Sequence, residues 1–148
     1  MPCILEKWIK VNIGKKALTT AALTTAGLAL AAAPASAQTN AHGYASYESC
    51  GILSCITIET AEGWFTAEGE TLKVCDIYTD GHRAGAELEW YSGGAYHIYG
   101  AYATGGDGSC ATWTDKDIPE GTSVTMRVWD QNGSTGSRQH LKTFHGTA

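Results

Sequence analysis

Residues 123–130 read SVTMRVWD, and this octapeptide clearly indicates β structure. Val124, Met126 and Val128 alternate with polar or aromatic side chains, which is the period-two pattern of a strand with one buried face. The alternation predicts that these three side chains face a core. It also predicts that Trp129 lies on the opposite, solvent-facing side of the same strand.

The chain on either side of this strand has the same character. Short runs rich in Val, Ile, Thr, Tyr and Trp are separated by turn sequences such as Asp80-Gly81 and Asn132-Gly133. We therefore predict an all-β fold, a single antiparallel immunoglobulin-like β-sandwich of seven to eight strands that is stapled by disulfides. The predicted strands are Tyr44–Glu48, Leu53–Thr60, Thr71–Thr79, Ala86–Tyr91, Ala95–Tyr102, Cys110–Thr114, Ser123–Asp130 and Gln139–Phe144.

The pairing of the predicted strands Ala86–Tyr91 and Ala95–Tyr102 depends on the length of the loop between them. A three-residue loop would place Trp90 opposite Tyr96, whereas a two-residue loop would place Trp90 opposite His97. We predict the three-residue loop, because it sets apolar side chains against apolar side chains across the pair.

The first 37 residues have the features of a secretory signal peptide. The pair Lys15-Lys16 precedes the uncharged stretch Ala17–Ala33, and Ala35-Ser36-Ala37 is a small-residue cleavage signal. We therefore predict that the chain is cleaved after Ala37 and secreted as one domain, residues 38–148. The polar residues 38–43 are predicted to form a short flexible arm.

The charge of the predicted secreted domain limits its partners. Its 111 residues carry six Lys and Arg side chains and fourteen Asp and Glu side chains, a net charge of −8 compared with −5 for the whole chain. A surface of this sign repels nucleic acid and anionic lipid. We therefore expect an extracellular protein as the partner, and neither nucleic acid nor, after cleavage, a membrane.

The cysteines predict a disulfide framework. Cleavage would remove Cys3, and the four remaining cysteines allow three connectivities. We favour Cys50–Cys55, which closes a small loop, together with Cys75–Cys110, which joins two predicted strands. A four-cysteine zinc site is the alternative, but neither Cys75 nor Cys110 has a close cysteine neighbour.

Nucleophilic catalysis has no sequence signature in this chain. No serine lies in a G-x-S-x-G motif, and the four cysteines are expected to be oxidised. The histidines form neither an H-x-H nor an H-E-x-x-H pair. His82 follows a turn and is expected to be solvated, while His140 and His145 would point to opposite faces of an unbroken strand. We therefore expect a non-enzymatic protein with no catalytic residues.

The acidic side chains predict neither a cofactor nor a metal ion. Asp130, Asn132 and Ser134 have the oxygen spacing that begins an EF-hand loop, but the closing glutamate is missing and a turn is the simpler interpretation. Glu87 and Glu89 lie on one strand face about 7 Å apart, which is compatible with glycoside hydrolysis. Alternating acidic residues on a wet strand face are more often solubilising.

Three aromatic residues are candidates for a binding surface: Tyr91, Tyr99 and Trp129. The alternation of their strands predicts that they face solvent. Exposed Tyr and Trp side chains are favoured at protein interfaces, and they also stack on sugars. Burial of these rings against turns is the alternative.

Four segments occur in an order that resembles small secreted actinobacterial proteins of the Streptomyces type: Gly69–Asp76, Thr79–His82, Pro119–Gly121 and Val124–Val128. Within that class the chain is similar to the immunoglobulin-like adaptor subunit of umbrella toxin particles. Such an adaptor bridges a lectin-like propeller subunit and a long toxin-bearing subunit, and its N-terminal segment inserts into the latter. The resemblance implies a partner-binding segment formed by Gln38, Thr39, Asn40, Ala41, His42, Gly43 and Tyr44.

The leading hypothesis is therefore a secreted, non-enzymatic adaptor module. Its partner would be an extracellular protein, such as another subunit of a toxin complex. One alternative is a carbohydrate-binding module that uses the aromatic residues. Another is an inhibitor of an extracellular enzyme that presents the loop Gly105–Ser109. A small hydrolase would need a catalytic site without a sequence signature.

Overall fold

The computed structural model describes residues 37–114 and 117–148, and the regular secondary structure of these residues is entirely β strand. The predicted signal peptide lies outside them, apart from Ala37. Within the described ranges there is no helix of the length and apolar character that a membrane span requires. The strands are β1 (Ala41–Cys50), β2 (Cys55–Thr66), β3 (Thr71–Asp76), β4 (Arg83–Ser92), β5 (Ala95–Ala103), β6 (Cys110–Trp113), β7 (Ser123–Gln131) and β8 (Arg138–Thr147).

The eight strands form two antiparallel sheets of four. One sheet has the order β1-β2-β3-β6, and the other has the order β5-β4-β7-β8. The chain passes from one sheet to the other between β3 and β4, between β5 and β6, and between β6 and β7. Each of the eight predicted strands has its counterpart, so the predicted antiparallel immunoglobulin-like β-sandwich is confirmed.

The core lies between the two sheets, where alternate residues of the long strands meet. Val124, Met126 and Val128 of β7 are buried, as the sequence alternation predicts. Burial of each such side chain contributes about 1.5–3 kcal/mol. The largest apolar partners that are also fully buried in this core are Phe65, Leu72, Val74, Leu88 and Ile118.

Both predicted disulfides are present. Cys75–Cys110 joins paired positions of the neighbouring strands β3 and β6, and Cys50–Cys55 joins the end of β1 to the start of β2. By restricting the unfolded chain, the Cys75–Cys110 bond stabilises the fold by roughly 3–4 kcal/mol. Two disulfides in a chain of this size indicate folding in an oxidising environment.

The predicted three-residue loop between β4 and β5 is wrong, because the turn contains only Gly93 and Gly94. Both glycines have positive φ angles, 59° and 83°, as a tight turn between twisted antiparallel strands requires. Trp90 therefore pairs with His97. The two rings stack with centroids 5.1 Å apart. The imidazole of His97 thus packs against Trp90, where Tyr96 was expected.

Residues 39–43 of the predicted arm are hydrogen-bonded to the sandwich. Thr39 and Thr147 exchange two backbone hydrogen bonds of 2.9 Å, which tie the start of the domain to β8. From Ala41 onward the chain belongs to β1, and Ala41 and Gly43 are buried. Polar composition did not reveal this docking, because the hydrogen bonds are made by backbone groups. Every residue type except proline has both a backbone N–H donor and a backbone carbonyl acceptor.

Replacing Gly146 with alanine tests this docking. A Cβ atom at Gly146 would lie 2.6 Å from the backbone oxygen of Thr39, so one of the two segments must shift. We expect Gly146→Ala to lower the free energy of unfolding by about 1–3 kcal/mol in denaturant titrations.

Gly51→Ala is the matched control, because its added Cβ would have its nearest neighbour at 3.7 Å. We expect its stability to stay within about 0.5 kcal/mol of the parent. Equal stability of the two variants would contradict the docking, since a mobile segment would simply move out of the way.

Candidate functional site

Four connections lie toward one end of the sandwich, because successive strands alternate in direction. This end, called the loop end below, comprises residues 51–54, 77–82, 104–109 and 132–137. Two hydrogen bonds join the β3–β4 connection to the β5–β6 connection: Thr79 Oγ1 donates to Asp107 Oδ2 at 2.6 Å, and the Gly108 N–H donates to the Asp76 carbonyl at 2.9 Å. A cleft of about 330 Å³ lies between three of the connections, lined by Gly81, His82, Arg83, Thr104, Gly106, Gly133 and Ser134.

The carboxylate of Asp130 is the centre of the loop end. It is 2% exposed, and its Oδ1 accepts hydrogen bonds from Thr60 Oγ1 at 2.8 Å and from His140 Nδ1 at 2.7 Å. Its Oδ2 lies 2.8 Å from His82 Nδ1. Burial by itself raises the pKa of Asp130, but the hydrogen bonds from His82, His140 and Thr60 outweigh burial and hold this pKa below its usual range. Asp130 is therefore ionised, and each Nδ1 donates to it.

The two histidines are held in place by different means. The hydrogen bond to Asp130 raises the pKa of His82 above its ordinary value, although burial opposes this effect. His140 has a φ angle of 51°, a left-handed conformation that is uncommon for residues other than glycine. Its ring stacks on Tyr47 of β1 with centroids 4.4 Å apart. Asp130 and Tyr47 together fix the orientation of the His140 ring.

Two further carboxylates lie beside this centre. Asp80 Oδ1 accepts a hydrogen bond from the His82 N–H at 2.8 Å, and Asp80 Oδ2 lies 3.5 Å from His82 Nδ1. Asp80, His82 and Asp130 each offer one atom that could bind a metal ion, and these three atoms lie within 4.8 Å of one another. Asp76 is 2% exposed, and burial raises its pKa, as do the nearby negative charges of Asp80, Asp107 and Asp130.

This cluster was missed at the level of sequence, where His82 was interpreted as a solvated turn residue and no metal-binding group was expected. Its members, Asp76, Asp80, His82 and Asp130, come from two separate parts of the chain and match no metal-binding motif. One signal was available: Asp76 lies two residues after Val74, and Asp130 lies two residues after Val128. Period-two alternation therefore places both carboxylates on the core side of their strands.

The hairpin β1–β2 extends beyond the packed body, and its residues 48–57 are all exposed. We call this segment the finger. Neither face of it packs against the body, whereas Tyr47 at its base stacks on His140. By strand rise, the cysteine pair lies about 10 Å beyond Tyr47.

The tip of the finger, Gly51–Ser54, is a cross-linked turn with two adjacent apolar side chains. The Cys50–Cys55 disulfide closes it, and the Gly51 N–H donates a hydrogen bond of 2.8 Å to the Ser54 carbonyl. Ile52 and Leu53 are 102% and 97% exposed. Single exposed apolar residues are common, but two adjacent ones on a cross-linked turn make the tip a candidate contact surface.

Trp129 is fully buried, which corrects the prediction that it is exposed. It lies on the outer face of its sheet, as the alternation requires, but the opposite residue Gly85 leaves room for the indole ring. The Arg138 guanidinium covers the ring at 3.9 Å from its centroid, and Trp129 Nε1 donates to Gln131 Oε1 at 2.8 Å. Arg138 of β8 thus covers the Trp129 side chain, which faces away from the core.

The other two predicted surface aromatics do not form a platform with Trp129. Tyr99 is half-buried and stacks between Trp90 and Trp113, with centroids 5.5 and 5.0 Å from its own. Tyr91 is 55% exposed, as expected, but its ring meets Tyr96 at an angle of 64°. Tyr91, Tyr99 and Trp129 therefore lie in three different environments and do not share one surface.

Glu87 and Glu89 are ion-paired on the outer face of β4. Arg127 Nη1 lies 3.2 Å from Glu87 Oε1 and 2.5 Å from Glu89 Oε2, and Arg138 Nη2 lies 2.8 Å from Glu87 Oε2. Burial raises the pKa of Glu87, but Arg138 and Arg127 outweigh it and hold this pKa below its ordinary value. A lowered pKa does not suit a general acid, so the geometry gives no support to glycoside hydrolysis here.

The predicted partner-binding segment, residues 38–44, lies toward the end of the sandwich opposite the loop end. Gln38 Nε2 donates to Glu120 Oε2 at 2.8 Å. His42 Nε2 lies 2.8 Å from Glu62 Oε1, and its ring stacks on Trp64. These contacts within the domain occupy side chains that were expected to reach a partner.

The loop Gly105–Ser109, expected to be the presenting element of an inhibitor, is tied down as well. Ser109 Oγ accepts a hydrogen bond from the Gly105 N–H at 3.1 Å, and the Ser109 N–H donates to the Gly106 carbonyl at 2.9 Å. The exposed aliphatic side chains Ile52 and Leu53 lie instead on the finger.

Comparison of this chain with protein-family models, with curated proteins and with solved structures found no match.

The Glu87 ion pairs predict an acid-sensitive contribution to stability. Because the pKa of Glu87 is lower in the folded than in the unfolded chain, its contribution is complete above the unfolded value of about 4.5 and is lost as pH falls through the folded value. We expect Glu87→Gln to be less stable than the parent at neutral pH and to lose less stability on acidification, as measured by denaturant titrations across that range.

Glu68→Gln is the control for this experiment, since Glu68 is exposed in the turn between β2 and β3. It should reproduce the parent pH profile. A parent-like profile for Glu87→Gln would show that the ion pairs do not stabilise the fold.

Proposed function

We propose that the protein is a secreted, non-enzymatic protein-binding module and that the finger is its binding element. The observation that carries this proposal is the complete exposure of Ile52 and Leu53 on a disulfide-closed tip. Two disulfides support an oxidising, extracellular location, and the predicted signal peptide supports secretion.

The energetics of the tip favour insertion into a partner. Burial of an isoleucine or leucine side chain in an apolar pocket contributes about 1.5–3 kcal/mol, and the finger presents two of them side by side. The disulfide holds the tip in one conformation, so association loses little conformational entropy. Ile56, which is 61% exposed, extends the apolar surface along the finger.

The charge of the domain suggests the surroundings of the partner's pocket. Glu48 lies on the finger, and the predicted secreted domain carries a net charge of −8. An apolar pocket with a basic rim would complement both features. Such complementarity mainly accelerates association and depends on ionic strength.

The specific form of this proposal is an adaptor subunit of an extracellular toxin particle, as the family resemblance implies. In that case the finger, rather than residues 38–44, would enter the neighbouring subunit, because Thr39 and His42 already have partners within the domain. An enzyme inhibitor would be another kind of protein-binding module and would use the same tip. Carbohydrate binding gains no support from the predicted aromatics, since Trp129 is buried.

Charged substitutions at the tip test the proposal. The tagged protein should capture a stoichiometric partner from the culture medium of the producing organism, and the double variant Ile52→Asp/Leu53→Asp should lose that partner. We expect the dissociation constant for the purified partner to rise by at least about a hundredfold, since two buried anchors of about 1.5–3 kcal/mol each are lost.

Ile98→Asp is the matched control, because Ile98 is 59% exposed on the outer face of β5, away from the finger. It should capture the partner as the parent does. Capture of no partner by the parent, or equal capture by the tip variant, would exclude the finger as the binding element. The identity of a captured protein, by mass spectrometry, separates a toxin subunit from an enzyme.

The disulfide itself provides a second test. Cys50→Ser/Cys55→Ser should leave the sandwich folded, because the finger does not pack on the body. It should weaken partner binding by roughly tenfold, since a flexible tip must be ordered at about 0.5–1.5 kcal/mol for each immobilised side chain. Calorimetry should show that loss as a less favourable entropy. Unchanged affinity would show that the disulfide does not pre-organise the tip.

A further inference from the structure

The carboxylate of Asp76 is in an unusual position at the loop end. Its Oδ1 accepts one long hydrogen bond, of 3.3 Å, from the Tyr78 N–H. Its Oδ2 is buried and has no hydrogen-bond partner among residues 37–114 and 117–148. Buried carboxylate oxygens are normally paired with a donor, a positive charge or a metal ion, because their desolvation is costly.

The strand pattern shows where this oxygen points. Leu72 and Val74 of β3 face the core, so Asp76, two residues further on, is directed between the two sheets. Asp130 of β7, in the other sheet, is also buried, and its negative charge acts on Asp76. Asp76 and Asp130 therefore face the same space from opposite sheets, as their electrostatic interaction also indicates.

His82 and Asp80 complete the surroundings of this space. The Nδ1 atom of His82 lies 2.8 Å from Asp130 Oδ2 and 3.5 Å from Asp80 Oδ2. The negative charge of Asp76 also acts on His82. The charges of three carboxylates thus act on His82, and even if His140 were also protonated the two histidines could not neutralise all three.

We propose that the loop end binds one divalent first-row cation through Asp80, His82 and Asp130, whose ligand atoms lie within 4.8 Å of one another, with the buried carboxylate of Asp76 supplying further negative charge beside them. Two carboxylate oxygens and one imidazole nitrogen form a mixed set that suits Zn²⁺ or Mn²⁺, whereas Ca²⁺ prefers oxygen ligands throughout. The cation would take the place of the proton that His82 Nδ1 shares with Asp130. It would also provide the positive partner for the Asp76 oxygen.

The remaining contacts of Asp130 fit the supporting role that such sites need. Thr60 and His140 both donate to Oδ1, which leaves Oδ2 as the oxygen on the side of His82 and Asp80. Hydrogen bonds of this kind orient a ligating carboxylate and strengthen binding of the metal. His140 in turn contacts Tyr47, so the site lies at the base of the finger. The proposal does not depend on what the finger binds.

Calorimetric titration of the purified, disulfide-bonded protein with ZnCl₂ or MnCl₂ tests the site. The protein is first dialysed against EDTA, and the thiol of Cys3 is alkylated if that residue is retained. We expect one equivalent to bind, and we expect Asp76→Asn and Asp80→Asn each to weaken binding by at least about tenfold. Asp80→Asn keeps the side-chain oxygen that accepts the His82 N–H, so it guards against a folding defect in Asp76→Asn.

Glu68→Gln, a carboxylate-to-amide change at the opposite end, should bind the cation as the parent does. Thermal unfolding gives an independent readout, since the cation should raise the midpoint of the parent and of Glu68→Gln but not of Asp76→Asn. Without a cation, Asp76→Asn should be at least as stable as the parent, because it removes a buried charge.

Three results would overturn the proposal. One is the lack of saturable binding below about 1 mM, the weak limit for extracellular cation sites. Another is unchanged affinity in both Asp76→Asn and Asp80→Asn, which would place any bound ion elsewhere. The last is a preference for Ca²⁺ over both Zn²⁺ and Mn²⁺, which would contradict the role of His82 as a ligand.

Discussion

The loop end depends on the hydrogen bonds of the Asp130 carboxylate, because they connect parts of the chain that no single strand pairing joins. Through Thr60 the carboxylate links the two sheets across the core, and through His82 it holds the connection that precedes β4. Through His140 it reaches β8 and, by ring stacking, Tyr47 at the base of the finger. One buried charge with three donors thus positions both the apolar tip and the acidic cluster relative to the sandwich.

Much of the fold was predictable from the sequence, because its main determinant is local. Val124, Met126 and Val128 show their burial by alternation, and the even number of cysteines in the predicted secreted domain favoured the observed disulfides. What alternation cannot give is the identity of the neighbour across a sheet. The β4–β5 register followed the turn preference of Gly93-Gly94, and the apolar matching on which the expectation relied was the weaker constraint.

The candidate sites were less predictable, since they are assembled from distant residues. Trp129 is sealed by Arg138 and by the absence of a side chain at Gly85, and neither effect has a sequence signal on β7 itself. His82 and Asp130 are separated by 48 residues and meet only because β4 and β7 are neighbours. The exposed pair Ile52-Leu53 was visible in the sequence, but a strand was predicted to begin at Leu53, which concealed it.

The structure of the finger has a consequence for the evolution of this protein's sequence. Its tip contributes nothing to the core, and the cysteine pair closes the turn whatever side chains lie between them. Substitutions at residues 52 and 53 therefore leave folding untouched while altering the surface that is presented. The body and the tip are separable in this sense, as framework and paratope are in an antibody domain, so one scaffold can acquire new specificities by exchanging a few residues.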